Sequence, residues 1–415
     1  MGGVSVILDE LFEREMEIFP RGRKCLRQAI NGLPAEFKGG MDMKRWFGGF
    51  GVCLCAFIFS TASFGADVVK IGAYLPMTGA VAAYGQDAWS GIQIAKAMKP
   101  KVLKKNIRLV LVDTKSDKIE SANAVSRLIE KERVVAIIGE MISGNTMAGG
   151  PIAEKAKIPM ISPTATNPLV TQGKKYVFRV CFIDPVQGEI AAKYAFYTLK
   201  AKTAALIVDK SQDYCVGLGK FFKDNFIKLG GKIVVETYCV TEDKDFSAQL
   251  SAIKPSNPDI IYAPNYYSPV ALFAKQAREL GLKAPILSGD GAQAAELIQI
   301  GGKDVEGVSF TAHFHPRAAT TKLAKNFMNR FQKKYKMEPN AFHALGADAY
   351  FVLVDAISRA KTTKGDKIRK ALASTKNFGA VSGKISIGAD GNAVKPMVIN
   401  TVKDGKFEYL TTVNP

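Results

Sequence analysis

Two apolar stretches of this sequence each run into hydroxyl-bearing residues of the kind that bind small anions. In residues 159–168 an apolar strand leads into prolines and threonines, and proline stiffens such a loop. Ser143 follows another Val- and Ile-rich stretch. The hydroxyls of Ser143 and Thr166 would hold a carboxylate, helped by backbone N–H groups at Ala165 and near Asn145. The alternative is that both loops only cap helices, because Ser, Thr and Asn are common N-cap residues.

A carboxylate and several tyrosines at other strand ends would complete a dipolar site. Asp290 would meet an ammonium group, and tyrosine rings would enclose the apolar remainder of a ligand. The tyrosines in question are Tyr84, Tyr214, Tyr266 and Tyr267. An anion cradle opposite a cation acceptor suits an α-amino acid. The alternatives are a turn or N-cap role for Asp290 and core packing for one of the two adjacent tyrosines.

Motifs for catalysis, cofactors and metals are weak or absent in the sequence. There is no phosphate-binding loop, no Gly-x-Ser-x-Gly elbow and no His-Glu-x-x-His. Residues 289–294 resemble a dinucleotide fingerprint, but they lie late in the chain rather than in a first βα unit. His313 and His315 are two candidate metal ligands without a nearby third, so a solvated or hydrogen-bonded pair is the stronger interpretation. We therefore expect a binding protein without enzymatic activity, cofactor or metal.

The charge balance is strongly basic but does not indicate a nucleic-acid partner. The 415 residues carry a formal net charge of +19, and the Lys and Arg side chains are scattered along the chain. No arginine-rich arm or alternation of basic and aromatic residues appears. A solvated basic surface is the better interpretation.

The first 65 residues are predicted to lie outside the working protein. Residues 43–65 combine a basic start, an apolar run and small residues before a cut near Gly65 and Ala66, which is the pattern of a secretory signal peptide. The alternative is a retained membrane anchor. Residues 1–42 lack any periodic pattern and are interpreted as an extension from too early a start codon. The sequence thus predicts an exported protein.

Three cysteines follow the predicted cleavage site, namely Cys181, Cys215 and Cys239. An odd number permits at most one disulfide within the chain. Cys215 and Cys239 are the weak choice for a pair, and buried free thiols are equally compatible with the pattern.

From Val68 onward, apolar strands alternate with amphipathic helices, which predicts parallel sheets covered on both faces. One helix is predicted to begin after Asp117 and to bury a face that includes Ile119, Val125 and Leu128. The alternation restarts after about residue 184. The fold class expected is α/β, with two doubly wound Rossmann-like lobes in series and ligand at the carboxyl ends of their strands.

Several segments resemble the leucine/isoleucine/valine-binding protein family of ABC importers, and they occur in the order that the family has. The segments are Ile71–Gly79, Tyr84-Gly85, Ile161–Pro168, Phe178-Arg179, Asp245–Ser247, Tyr266-Tyr267 and Gln276–Leu282. The resemblance covers nearly all of residues 67–415. It implies a type I periplasmic binding protein whose two lobes are joined by three crossovers and close on a ligand in the interlobe cleft. Lobe 1 would comprise residues 67–183 and 312–378, and lobe 2 residues 184–311 and 379–415.

The resemblance also implies roles for individual residues. Ser143, Thr164, Ala165 and Thr166 match the family's carboxylate and backbone contacts on lobe 1, and Tyr84 matches the aromatic residue beside the ligand side chain. On lobe 2, the matching contacts are Tyr214, one of Tyr266 and Tyr267, and Asp290 at the ammonium.

The implied function is import of an amino acid, branched-chain or otherwise aliphatic, by a monomer that docks on inner-membrane ABC permease subunits. Two departures from the family pattern bear on the ligand. Ser116 and Ile142 stand where some members have disulfide cysteines, and Asp290 is one methylene shorter than the family's Glu. The alternatives are the same fold binding an amide, a urea or an aromatic acid, and a ligand-sensing receptor module.

Overall fold

The computed structural model describes residues 68–414, so the predicted extension and signal peptide lie outside the described residues. Two sheets dominate this part of the chain. The first has the strand order β2-β3-β1-β4-β5-β6. Its strands are β1 (Val68–Leu75), β2 (Lys101–Val102), β3 (Lys105–Asp113), β4 (Ala136–Gly139), β5 (Met160–Ser162) and β6 (Val177–Arg179).

The second sheet has the order β16-β15-β11-β10-β9-β7-β8. Its strands are β7 (Thr203–Asp209), β8 (Lys232–Cys239), β9 (Ile260–Ala263), β10 (Ile286–Ser288), β11 (Ser309–Ala312), β15 (Met397–Lys403) and β16 (Lys406–Val413). A small antiparallel sheet is formed by β12 (Phe378–Ala380), β13 (Gly383–Ile387) and β14 (Ala393–Val394). We call the first sheet with its helices lobe 1 and the second with its helices lobe 2.

Helices connect the parallel strands, as expected for βαβ units. In lobe 1 these are α1 (Ala82–Met98), α2 (Lys118–Glu130) and α3 (Ser143–Ala156). In lobe 2 they are α4 (Asp184–Lys193), α5 (Asp213–Lys228), α6 (Ser247–Ile253), α7 (Tyr267–Glu279) and α8 (Ala295–Gly301). Three more helices precede the last strands, namely α9 (Lys322–Tyr335), α10 (Ala341–Ala360) and α11 (Gly365–Ala373).

The chain passes between the two sheets three times: after β6, after β11 and before β15. After β11 it returns to lobe 1, where α10 packs closely on α1. A Cβ on Gly91 of α1 would lie 1.9 Å from the carbonyl oxygen of His343, so only glycine permits this approach. The predicted pair of doubly wound lobes joined by three crossovers is therefore confirmed.

Helix α10 is long and apolar enough to cross a membrane on length and composition alone. However, 89% of its most apolar window is buried inside the protein. Its apolar character is thus explained by its place in the core of lobe 1, since a helix that is hydrophobic all round needs burial on every side.

One helix face differs from the sequence prediction. Asp117 caps α2 as expected, accepting a hydrogen bond from the backbone N–H of Glu120 at 2.9 Å. Val125 and Leu128 are buried, but Ile119 is 73% exposed. The buried stripe instead continues toward the N-terminus through Ser121, so the prediction for Ile119 was wrong.

Candidate ligand-binding site

A small cavity lies between the two lobes, at the carboxyl ends of their strands, with about 250 Å³ of non-atom space when its open mouth is included. Its lining combines hydroxyl groups, a carboxylate, aromatic rings and a thioether. The lining residues are Tyr84, Met141, Ser143, Thr164, Tyr214, Tyr266, Asp290, Gly291 and Phe342. Six of the nine residues predicted from the sequence therefore line one cavity, and they come from both lobes.

The lobe 1 side of the cavity presents Ser143 and Thr164. Ser143 is the first residue of α3, where the helix dipole is positive and N–H groups lack partners within the helix. Its hydroxyl oxygen accepts a hydrogen bond from the backbone N–H of Asn167 at 3.2 Å, so its proton remains available for a ligand oxygen. Thr164 donates to the carbonyl of Met141 at 2.7 Å, which anchors the loop after β5 to the loop after β4. This side is suited to an anionic group.

Ala165 and Thr166 lie behind this surface rather than in the cavity lining. The N–H of Ala165 already donates to the hydroxyl of Ser162 at 3.0 Å, and its carbonyl accepts from the buried Arg179 at 2.6 Å. Thr166 is 1% exposed and lies beside Asp184. Burial raises the pKa of Asp184 to about 8, and the Thr166 hydroxyl opposes that rise. These two residues support the loop that carries Thr164.

Glu140 organises the start of α3 from beneath. Its buried carboxyl group accepts hydrogen bonds from the N–H of Ile142 at 2.6 Å, the hydroxyl of Thr114 at 2.7 Å and the amide of Asn145 at 3.3 Å. Burial raises the pKa of Glu140 to about 7, while these donors favour the charged form. The prediction near Asn145 concerned backbone N–H groups, and the side-chain amide of Asn145 donates to Glu140.

The lobe 2 side is centred on Asp290, which follows β10 and is 5% exposed. One carboxylate oxygen accepts a hydrogen bond from the hydroxyl of Tyr214 at 2.9 Å. The other lies 2.9 Å from Nε2 of His313. The backbone N–H of Asp290 donates to Gln187 at 3.0 Å. The carboxylate is held at both oxygens, the backbone of Asp290 is fixed by Gln187, and the residue borders the cavity, so the carboxylate is placed to pair with a ligand cation.

Aromatic rings form the walls between the two polar sides. Tyr84 of lobe 1 meets Phe342 at a centroid distance of 4.4 Å and the edge of Tyr266 at 5.7 Å. Tyr214 and Tyr266 stack at 5.5 Å with nearly parallel planes. The buried hydroxyl of Tyr266 has no hydrogen-bond partner within residues 68–414. An apolar side chain would be enclosed by these rings, and the Tyr266 hydroxyl is left for a polar ligand edge.

Two tyrosine hydroxyls bridge the lobes. Tyr84 donates to the carbonyl of Gly291, and Tyr267 donates to the carbonyl of Ala80 at 3.1 Å. Tyr267 is not part of the cavity lining, and its ring packs on the edge of Tyr84 at 5.2 Å. Of the two adjacent tyrosines, Tyr266 borders the cavity and Tyr267 forms a hydrogen bond between lobe 2 and lobe 1.

A further link between the lobes lies at the surface. Lys118 at the start of α2 forms a salt bridge of 2.8 Å with Asp213 at the start of α5. The amide of Asn167 donates to the backbone carbonyl of Asp213 at 2.9 Å. Together with the tyrosine contacts, these bonds show the cleft in a closed arrangement.

His313 and His315 each have a hydrogen-bond partner of their own. The motif His313-x-His315 was noted as a weak metal pair, with a solvated or hydrogen-bonded pair as the stronger interpretation, and the two rings have separate partners. His313 contacts Asp290, and His315 lies 3.2 Å from the carbonyl of Phe407. Within residues 68–414 there is no group of three His, Cys, Asp or Glu arranged for a metal. Met141 and Phe342 also line the cavity without having been predicted, because no polar group marked them.

The three cysteines are buried and free. The pairing of Cys215 with Cys239 is therefore not formed, and the alternative of buried thiols describes the structure. Burial raises the pKa of Cys181 and of Cys239 to about 12, so both remain neutral thiols.

Comparison with known proteins agrees with this arrangement. Residues 68–406 match the periplasmic binding protein family. A leucine-binding protein, LivK, from Thermotoga maritima superposes with a TM-score of 0.82 at 50% identity, covering 84% of this chain and 99% of that one. The branched-chain amino acid transporter substrate-binding protein LivJ of Streptococcus pneumoniae, solved with isoleucine, superposes at 0.79 with 33% identity, covering 84% and 100%.

A curated relative from Pseudomonas aeruginosa is a leucine-, isoleucine-, valine-, threonine- and alanine-binding protein. It is 30% identical over 320 residues, which cover 76% of this chain and 84% of the relative. The family match spans most of the chain, and the two-lobed structure with a cleft between parallel sheets is that of the type I members. The chain therefore belongs to the periplasmic binding protein family.

Proposed function

We propose that this protein is the substrate-binding component of an ABC importer and that it binds a branched-chain or other aliphatic amino acid. The observation that carries the proposal is the polarity of the cavity. Ser143 and the N-terminus of α3 border it on lobe 1, and the Asp290 carboxylate borders it on lobe 2. A ligand with a carboxylate at one end and an ammonium at the other satisfies both sides.

The walls support an aliphatic side chain on that ligand. Met141, Phe342 and the ring of Tyr84 offer apolar surface, and burial of such a side chain contributes roughly 1.5–3 kcal/mol. The cavity is small, which favours a single amino acid over a peptide. The names of the relatives, which specify leucine, isoleucine and valine, point to the same class of ligand.

The mechanism is closure of the two lobes around the ligand. The ligand first meets the hydroxyl side on lobe 1, and rotation at the crossovers then brings Asp290 and Tyr214 against its ammonium. The closed form is held by the Tyr84–Gly291 bond and is the form that docks on the permease. No covalent chemistry is involved.

The remaining parts of the proposal concern location and organisation. The protein is exported to the periplasm after cleavage near Gly65 and Ala66, acts as a monomer and delivers its ligand to inner-membrane permease subunits. Lobe 1 comprises residues 67–183 and 312–378, and lobe 2 residues 184–311 and 379–415. Sheet membership supports the boundary near residue 184, since β1–β6 and β7–β11 belong to separate sheets. The last boundary is better placed before β15, because Val381 and Asn392 hydrogen-bond to Asp348 and Thr171 of lobe 1.

A thermal-shift panel on the exported protein, refolded to remove any carried ligand, tests the proposal. The panel contains L-leucine, L-isoleucine, L-alanine, 4-methylpentanoate, acetamide, urea and benzoate. A ligand at about 100 times its dissociation constant stabilises the folded state by about 2.7 kcal/mol. We expect the largest shift with a branched-chain amino acid. Shifts only with acids that lack an amine, or only with amides, would overturn the assignment while leaving the fold intact.

A further inference from the structure

His313 is a buried polar residue beside the ligand site that the proposed function does not yet use. It lies directly after β11, is 1% exposed and is not itself part of the cavity lining. Its Nε2 lies 2.9 Å from the carboxylate oxygen of Asp290 that Tyr214 does not contact. The carboxylate thus has one partner on each oxygen.

The ring and backbone of His313 are held by the other two crossovers. Phe182, in the crossover after β6, stacks on the imidazole at a centroid distance of 3.8 Å and an interplanar angle of 30°. Lys395, in the crossover before β15, donates to the His313 carbonyl at 2.9 Å. His313 itself lies in the crossover after β11. All three connections between the lobes therefore meet at this residue, one contact away from Asp290.

The surroundings favour a neutral imidazole with its proton on Nε2. A proton there is needed to donate to the carboxylate, and Nδ1 is buried without a partner in the described chain. Burial lowers the pKa of His313; the Asp290 carboxylate opposes this, and the ammonium of Lys395 reinforces it. The nearby Cys181 thiol stays neutral because burial raises its pKa to about 12.

This protonation state matters for the ligand. A neutral donor orients the Asp290 carboxylate and leaves its full negative charge for a ligand ammonium. An imidazolium at the same place would form an ion pair with Asp290 and compete with the ligand for that charge.

We propose that His313 is a positioning residue for amino-acid binding: as the neutral Nε2–H tautomer it aims the Asp290 carboxylate at the ligand ammonium. This inference rests on the proposed function, because it presumes a ligand with an amine. His313 acts through Asp290 and does not touch the ligand. The junction with Phe182 and Lys395 places it where closure of the lobes sets the orientation of the ring.

Titration calorimetry with two ligands separates positioning from a structural role. L-leucine carries the amine, and 4-methylpentanoate has the same carbon skeleton without it. Binding of 4-methylpentanoate is measured by a displacement titration. We expect His313→Leu to weaken leucine binding by about 10- to 100-fold, the range typical for loss of an orienting partner. Binding of 4-methylpentanoate should stay unchanged. His313→Gln, whose amide donates at a similar reach, should restore most of the leucine affinity.

His315→Leu is the matched control, since His315 is also buried and hydrogen-bonded but does not contact Asp290. It should leave both affinities at the wild-type level. An equal loss for both ligands in His313→Leu, or no loss for leucine, would overturn the inference. If the wild-type protein binds no amino acid, the proposed function itself fails, and that outcome is visible before any variant is made.

A second measurement needs no variant and so does not depend on a variant folding. The sequence has three histidines, so ¹⁵N imidazole spectra of the leucine-bound protein contain few resonances to assign. We expect His313 to show the neutral Nε2–H pattern at pH 7, because burial lowers the pKa of the imidazole. A Nδ1–H tautomer, or an imidazolium pattern at pH 7, would overturn the inference.

Discussion

The two halves of the cavity solve the problem of ligand charge in different ways. On lobe 1, the ligand carboxylate would be bound by neutral donors, namely the Ser143 hydroxyl and the backbone N–H groups in the first turn of α3. Glu140 supports the start of that helix through its hydrogen bond with Ile142. On lobe 2 the task falls to one carboxylate, Asp290, which Tyr214 and His313 hold in place. Ligand affinity should therefore fall less when one of the neutral donors on lobe 1 is removed than when the single buried carboxylate on lobe 2 is neutralised. The first two predictions below test that difference.

The largest effect is expected for Asp290→Asn. The asparagine has the same shape and can still accept the Tyr214 hydrogen bond, but it cannot neutralise a buried ammonium. Removing one partner of such a pair costs about 2–5 kcal/mol, or roughly 30-fold to several thousand-fold in the dissociation constant. Titration calorimetry with L-leucine measures this change in the dissociation constant. Asp224→Asn, on the outer face of α5, serves as the control. Retention of wild-type affinity in Asp290→Asn would refute the ammonium contact.

Ser143→Ala should have a smaller effect. A hydrogen bond to a charged group contributes about 1.5–3 kcal/mol, and the helix N-terminus remains after the hydroxyl is removed. We expect leucine binding to weaken by about 10- to 100-fold. Because the carboxylate is common to both ligands, 4-methylpentanoate should lose the same factor. Ser121→Ala, which removes a buried hydroxyl of α2, is the control. A loss confined to leucine would place the ammonium, rather than the carboxylate, on lobe 1.

The contrast between the halves also explains how much of the site could be predicted. Ser143 and Thr164 lie at the ends of neighbouring strands and share a local pattern of apolar run and hydroxyls, so one pass along the sequence finds both. Asp290 and Tyr214 are 76 residues apart; the sequence placed both at strand ends but did not predict the hydrogen bond between them. The contact of His313 with Asp290 escaped prediction because it joins the ends of two separate strands, β10 and β11, and no local pattern marks it.

Predictions from local sequence also failed where a polar group already bonds to another group of the protein. Ala165 was expected to offer its N–H to a ligand, but the Ser162 hydroxyl accepts that bond. Thr166 was expected to face the cavity and lies beside Asp184 instead. Ala165 and Thr166 both follow β5, as predicted. Their place along the chain was therefore predictable, whereas the direction of the Ala165 N–H and of the Thr166 side chain was not. A helix face behaves the same way: Ile119 fits the spacing of α2 and is nonetheless exposed, since Ser121 and Ala124 take the buried stripe.

Tyr84→Phe tests the bond that joins the halves. The ring and its contacts with Phe342 and Tyr266 remain, and only the hydroxyl that donates to Gly291 is lost. A net hydrogen bond contributes about 0.5–1.5 kcal/mol, so leucine affinity should fall by about 2- to 10-fold, mainly through faster release. Stopped-flow dissociation rates measure this. Tyr267→Phe, which removes the other interlobe tyrosine bond, should behave alike. Unchanged rates in both variants would mean that closure does not depend on these hydroxyls.

The smallest effect is expected for Lys118→Met, which removes the surface link between α2 and α5. Both partners are about half exposed, with side-chain exposures of 52% for Lys118 and 41% for Asp213. An ion pair in such a position contributes about 0–1 kcal/mol and is screened by salt, so the loss in leucine affinity should not exceed about fivefold. Titrations at 20 mM and 500 mM NaCl should show the difference from wild type shrinking as salt rises. Lys115→Met breaks a comparable exposed pair within lobe 1, with Glu120, and should leave affinity unchanged at both concentrations. A loss that persists at high salt would show that Lys118 contributes to closure by packing across the cleft rather than by its charge.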